Sequence, residues 1–164
     1  RTRVPFGTKN QIMASINNVL SSDNPKSMFV TLIIGFLEIN TGKITYANGG
    51  HNPPVLITQD DARFLEGRQE PLVGAMEDMS YTDISLNLGS ADSFFLYTDG
   101  VNEAMNLQGE QFSNDKLLEL LAANRRKTSQ QTITTILERL AEHSKDGPQS
   151  DDIAMLMIKY GRVE

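Results

Sequence analysis

Residues 28–39 are apolar on both alternating faces, with Phe29, Ile33 and Leu37 on one and Val30, Leu32 and Phe36 on the other. That pattern predicts a strand covered on both sides. The run contains Thr31 and Gly35 and is too short to span a bilayer, so no membrane contact is expected of this segment. Asn40-Thr41-Gly42 then offers a hairpin turn with a glycine for a left-handed position, and residues 43–47 return as the partner strand.

The other segments fall around this hairpin without alternating strand and helix. Thr8 and Gln11 read as a capping box, followed by a helical stripe of Ile12, Met13, Ile16, Val19 and Leu20. Ser21-Ser22-Asp23-Asn24-Pro25 ends that helix. Residues 55–58 and 63–65 flank the turn Gln59-Asp60-Asp61 as a second hairpin. Residues 81–88 alternate, with Thr82, Ile84, Leu86 and Leu88 on one face. After the turn Gly89-Ser90-Ala91-Asp92, residues 93–97 read as a short buried strand. Two helices follow, one from about Asn114 and one from a Ser129 cap. Gly147-Pro148 stops the second, and residues 153–158 make a last apolar strand. Many antiparallel strands with three non-alternating helices predict an α+β layered sandwich.

Composition narrows the function classes. The chain has 164 residues, a length that suits a single domain. Its net charge of −6 argues against a nucleic-acid partner, which needs a clustered basic face. The basic run Arg125-Arg126-Lys127 reads as a solvated helix end. There are no cysteines, which removes disulfides, thiolate zinc sites and cysteine nucleophiles, and fits a reducing, cytoplasmic setting. A bound metal must then take oxygen or imidazole ligands, which favours magnesium or manganese over zinc. No signal peptide is visible. The start at Arg1-Thr2-Arg3, without an initiator methionine, reads as a piece of something longer or a processed product.

Three places could carry chemistry. Asp99 stands where the buried strand 93–97 emerges, followed by Gly100, which lets the backbone turn away. Asp151 and Asp152 precede the last apolar strand. If those two strands are antiparallel neighbours, Asp99 and Asp151 converge at one sheet edge. Converging carboxylates repel unless a cation lies between them, and short aspartates on strand ends suit a hard divalent ion. Read singly, Asp99-Gly100 is an ordinary turn and Asp151-Asp152 a solvated strand start. The third place is the shaped loop Asn48-Gly49-Gly50-His51-Asn52-Pro53-Pro54. His51 could act as an acid, a ligand or a phosphate contact, but its setting favours hydrogen bonds that hold the loop.

Five segments in order then resemble the bacterial SpoIIE/RsbU-type phosphatases, a branch of the metal-dependent (type 2C-like) protein phosphatases. They are Met28-Phe29-Val30-Thr31-Leu32, residues 46–54, Pro71-Leu72-Val73-Gly74, residues 96–104, and Gly147-Pro148-Gln149-Ser150-Asp151-Asp152-Ile153. The resemblance runs from about Thr8 to Tyr160. It implies an αββα sandwich with a two-ion Mn2+ or Mg2+ centre, where water attacks a phosphoserine or phosphothreonine without a protein nucleophile. By motif match, Asp99 and Asp151 resemble the family's metal aspartates, and Asp152 occupies the adjoining position. Family members carry an earlier Gly-Asp-Val-x-Gly-like motif, which residues 1–7 do not contain.

On that departure the chain is expected to be a single phosphatase-like domain truncated at its N-terminus, with impaired activity of its own. The implied partners are a phosphorylated regulatory protein of the STAS (anti-anti-sigma) type and an upstream sensor or receiver domain in the parent. The alternative is a non-catalytic binding module, or a homodimer formed by pairing exposed sheet edges. A Gly-Asp-Val-x-Gly-like motif in the upstream reading frame would support the enzyme.

Overall fold

A computed structural model describes residues 8–65, 67, 70–145, 147 and 151–161. Pro148 and Ser150, part of the segments read above, lie outside the described residues, as do residues 1–7. The elements run α1 (Lys9–Ser21), β1 (Leu32–Glu38), β2 (Lys43–Gly49), β3 (Val55–Ile57), β4 (Ala62–Phe64), β5 (Ile84–Asn87), β6 (Ser93–Tyr97), α2 (Asp99–Asn102), α3 (Asn114–Ala123), α4 (Ser129–His143) and β7 (Met155–Lys159). Antiparallel sheets with helices make the class α+β. The chain divides into two compact units, Arg1–His51 with Gly67–Asn87, and Asn52–Glu66 with Leu88–Glu164.

In the first unit, α1 starts where the capping signal lies: the Thr8 N–H donates to Gln11 Oε1 at 3.0 Å, and the Thr8 hydroxyl pairs with Asn10 Oδ1. Met13, Ala14 and Ile16 pack with Leu32, Ile34, Ala47, Val73, Met79 and Tyr81. The helix face that is fully buried is Met13 and Asn17, four residues apart. Val19, placed above in the apolar stripe, lies far around the helix from Asn17 and is 75% exposed. Asn17 takes the core position instead and satisfies itself completely. Its Oδ1 accepts from the Gly74 N–H at 2.8 Å and the Tyr81 hydroxyl at 3.2 Å, and its Nδ2 donates to the Met76 carbonyl at 2.8 Å.

The first sheet has the order β1-β2-β5, antiparallel throughout. Glu38 and Lys43 close the β1–β2 hairpin, with Gly42 at φ +72° and its N–H on the Glu38 carbonyl at 2.9 Å. The expected coverage of 28–39 on both faces does not hold. Phe29, Val30 and Phe36 are 57%, 46% and 43% exposed. β1 is an edge strand of this sheet, and only Leu32 and Ile34 reach the α1 core. Residues 28–31 precede the strand, tied by a bridge between Val30 and Val73. β5 begins at Ile84 rather than residue 81, and Tyr81 ahead of it turns its hydroxyl onto Asn17.

The second unit carries the sheet β4-β3-β6-β7, also antiparallel. β6 occupies the span its apolar run predicts, entered through a turn in which Asp92 Oδ2 accepts from the Gly89 N–H at 2.8 Å. Thr58 closes the β3–β4 hairpin by accepting from the Asp60 and Asp61 N–H groups. Val55, Ile57, Phe95 and Tyr97 of this sheet pack with Leu117 and Leu121 of α3 and Ile136 and Leu140 of α4. The α4 cap is Thr128, not Ser129. Thr128 Oγ1 accepts from the Gln131 N–H at 3.2 Å, and Gln131 Oε1 accepts from the Thr128 N–H at 3.1 Å. A capping box needs its glutamine three residues on, and only Thr128 satisfies that spacing.

Candidate metal centre

β6 and β7 are antiparallel neighbours whose register ends at Tyr97 opposite Met155. The ladder continues one rung beyond the strands, with the Thr98 N–H on the Ala154 carbonyl at 3.0 Å. Here the two chains diverge. Asp99 opens α2, an element the sequence reading did not include, and the 151–153 segment approaches β7 without strand pairing. Ile153, read above as strand, is accordingly 44% exposed.

The place where they diverge is held tightly. A Cβ on Gly100 would lie 2.6 Å from the Asp152 carbonyl oxygen and 3.2 Å from the Asp151 carbonyl carbon. Only a glycine lets these backbones approach so closely. Thr98, which the sequence places in the 96–104 segment without a role of its own, stitches them: its hydroxyl donates to the Asp152 carbonyl at 2.8 Å and accepts from the Ala154 N–H at 2.9 Å. Asp151 Oδ1 accepts from the Asp152 N–H at 2.7 Å. Asp99, Asp151 and Asp152 are all exposed. Beneath them Tyr97 is buried, its hydroxyl donating to Asn114 Oδ1 at 3.0 Å, and burial pushes its pKa up to about 12.

Asp99, Gly100, Asp151 and Asp152 thus belong to the second unit, and residues 48–51 to the first. Asn48 ties its loop twice, accepting the His51 N–H at 2.8 Å and donating to the His51 carbonyl at 2.9 Å. The His51 ring meets the Thr31 hydroxyl through Nδ1 at 3.1 Å. The two glycines between them are sterically required. A Cβ on Gly49 would lie 2.4 Å from Val73, and Gly50, at φ +72°, would meet Leu72 at 2.5 Å.

Chemically, Asp99, Asp151 and Asp152 offer exposed carboxylate oxygen donors on adjoining backbone, a donor set that fits part of the shell of a hard divalent ion. Among the described residues, no group of three or more His, Cys, Asp or Glu side chains gathers closely enough to hold an ion alone. No helix among them is long and apolar enough to cross a membrane.

A family model described as Stage II sporulation protein E (SpoIIE) matches residues 7–161. Protein IcfG of Synechocystis sp. (strain ATCC 27184 / PCC 6803 / Kazusa) is 28% identical over 149 residues, covering 91% of this chain and 23% of that protein. The phosphoserine phosphatase RsbU of Bacillus subtilis (strain 168) is 25% identical over 150 residues, covering 91% of this chain and 44% of that protein. This chain therefore spans less than half the length of these curated relatives. Among solved structures, the SiaA-PP2C domain of Pseudomonas aeruginosa superposes with a TM-score of 0.80 at 18% identity, over 93% of this chain and 61% of that one. At that identity the likeness carries the fold.

Proposed function

The chain belongs to the Stage II sporulation protein E (SpoIIE) family, and from that membership we propose that it is part of a metal-dependent phosphatase acting on phosphoserine or phosphothreonine of a regulatory protein. The observation that carries this reading is the pinned junction of β6 and β7, where Asp99 leaves the sheet beside the Asp151-Asp152 backbone. In it Asp99 and Asp151, with Asp152 beside them, hold Mn2+ or Mg2+. A bound divalent ion supplies the charge that acidifies water and offsets the phosphoryl oxygens.

The chain's own residues contribute position. Asp99 is set by the start of α2, Gly100 permits the close approach, and the exposed carboxylates stay open to a phosphorylated side chain of a folded partner. Asn48 and His51 shape their loop. The RsbU relative is named a phosphoserine phosphatase, which supports phosphoserine as the group removed. The partner on this reading is a STAS-type phosphoprotein in the cytoplasm. The complete two-ion set belongs to one phosphatase domain of a longer protein that also carries a sensor or receiver domain. On this reading the 164 residues alone turn over weakly.

The test is phosphate release from a phosphoserine-bearing STAS-type protein with Mn2+, with Mg2+ and with EDTA. Slow release that requires the ion and falls on Asp99→Asn is expected. Release that continues in EDTA would contradict the proposal. The exposed apolar edge strand β1 favours a second reading, a non-catalytic binding or dimerisation module. Stable binding of the phosphoprotein, or a stable dimer, with no hydrolysis at any ion concentration would support it.

A further inference from the structure

We propose that Thr98 is a positioning residue, whose hydroxyl sets the spacing between Asp99 and the Asp151-Asp152 segment; the inference rests on the metal-centre reading above. Past Tyr97 and Met155 the β6–β7 ladder has one more backbone rung, from the Thr98 N–H to the Ala154 carbonyl at 3.0 Å. The second bond of that rung, from the Ala154 N–H to the Thr98 carbonyl, is missing, because the turn into α2 gives that carbonyl to the Val101 N–H at 3.0 Å. The Thr98 hydroxyl stands in for it. A single oxygen donates to the Asp152 carbonyl at 2.8 Å and accepts from the Ala154 N–H at 2.9 Å, so it clamps the segment on both sides of Ile153.

Without that clamp, contact at Gly100 limits how near the segment comes to Asp99, while the remaining Thr98 N–H rung holds it at the Ala154 carbonyl and leaves the Asp152 carbonyl unheld by Thr98. Asp151, Asp152, Ile153 and Ala154 are all exposed, so water can replace the lost bonds and the segment is free to splay. Two carboxylates that must share an ion are sensitive to such movement. Valine matches the shape of threonine but has a methyl where the hydroxyl was, whereas serine keeps the oxygen. The comparison of the two separates the hydrogen bonds from the packing.

The experiment uses the full 164-residue chain as native, Thr98→Val and Thr98→Ser. Mn2+ binding is followed by loss of the free-ion electron paramagnetic resonance signal, and the Ala154 amide by hydrogen exchange. Thr98→Val is expected to weaken Mn2+ binding by about tenfold or more, the usual scale for groups that orient a ligand, and to speed exchange at Ala154. Thr98→Ser should restore both close to native. If Thr98→Val does not fold, Thr98→Ala serves the same comparison. Native Mn2+ affinity in a variant whose Ala154 amide exchanges faster would overturn the inference. So would a serine variant as weak as the valine one. A native chain that binds no Mn2+ would instead overturn the metal-centre reading, and the inference with it.

Discussion

Gly100 has no room for a side chain: the nearest atoms a Cβ would meet are backbone, at 2.6 and 2.9 Å, and backbone cannot swing aside as a flexible side chain would. Gly100→Ala should therefore lower the unfolding free energy by about 1–3 kcal/mol, measured by urea denaturation. Tyr97 supplies a pH test. Its pKa is raised from 10.0 to about 12 by burial, so between those values the folded state keeps a proton that the unfolded state loses. The associated stability is intact below pH 10 and lost as pH rises toward 12. Tyr97→Phe should flatten that part of the stability–pH curve. The positions of Asp99 and Asp151 near the adjoining ends of β6 and β7 were legible from the apolar runs they lie beside, whereas their metal-binding role rests on the family resemblance. Thr98 and Asn17 were not legible. Each is an ordinary polar residue whose role is defined by partners far away in sequence, 54 residues on for the Thr98–Asp152 bond and 57 for Asn17–Gly74.

At the scale of elements, the signals that held were those written locally. β6 occupies its bounded apolar run and α1 follows the Thr8–Gln11 box, whereas α4 follows a Thr128–Gln131 box in place of the expected Ser129 cap. Thr128→Ala removes the acceptor for the Gln131 N–H and should cost about 1 kcal/mol, read as a lower thermal midpoint, while Ser129→Ala should cost much less. The reading of β1 failed for a different reason. Alternation reports which side chains share a face of a strand, but not whether the strand sits at a sheet edge or what lies over each face. Its exposed Phe36 lies instead under Lys9 of α1, whose Nζ is 4.8 Å from the ring centroid. The short α2 was hidden because Asp-Gly signals a turn as readily as a helix start.

Across the whole molecule, five short segments in a fixed order pointed to the family, and the match over residues 7–161 shows it. The function proposed here turns on whether the junction of β6 and β7 takes up a divalent ion. The most direct measurement is a Mn2+ titration by calorimetry of the native chain, Asp99→Asn and Asp151→Asn, each with its ion-free thermal midpoint. The native chain should bind, and each substitution should weaken binding markedly. Neither should lower the ion-free midpoint, because removing one of several neighbouring negative charges relieves repulsion. Native-like Mn2+ affinity in both variants, or no Mn2+ binding by the native chain, would contradict the account.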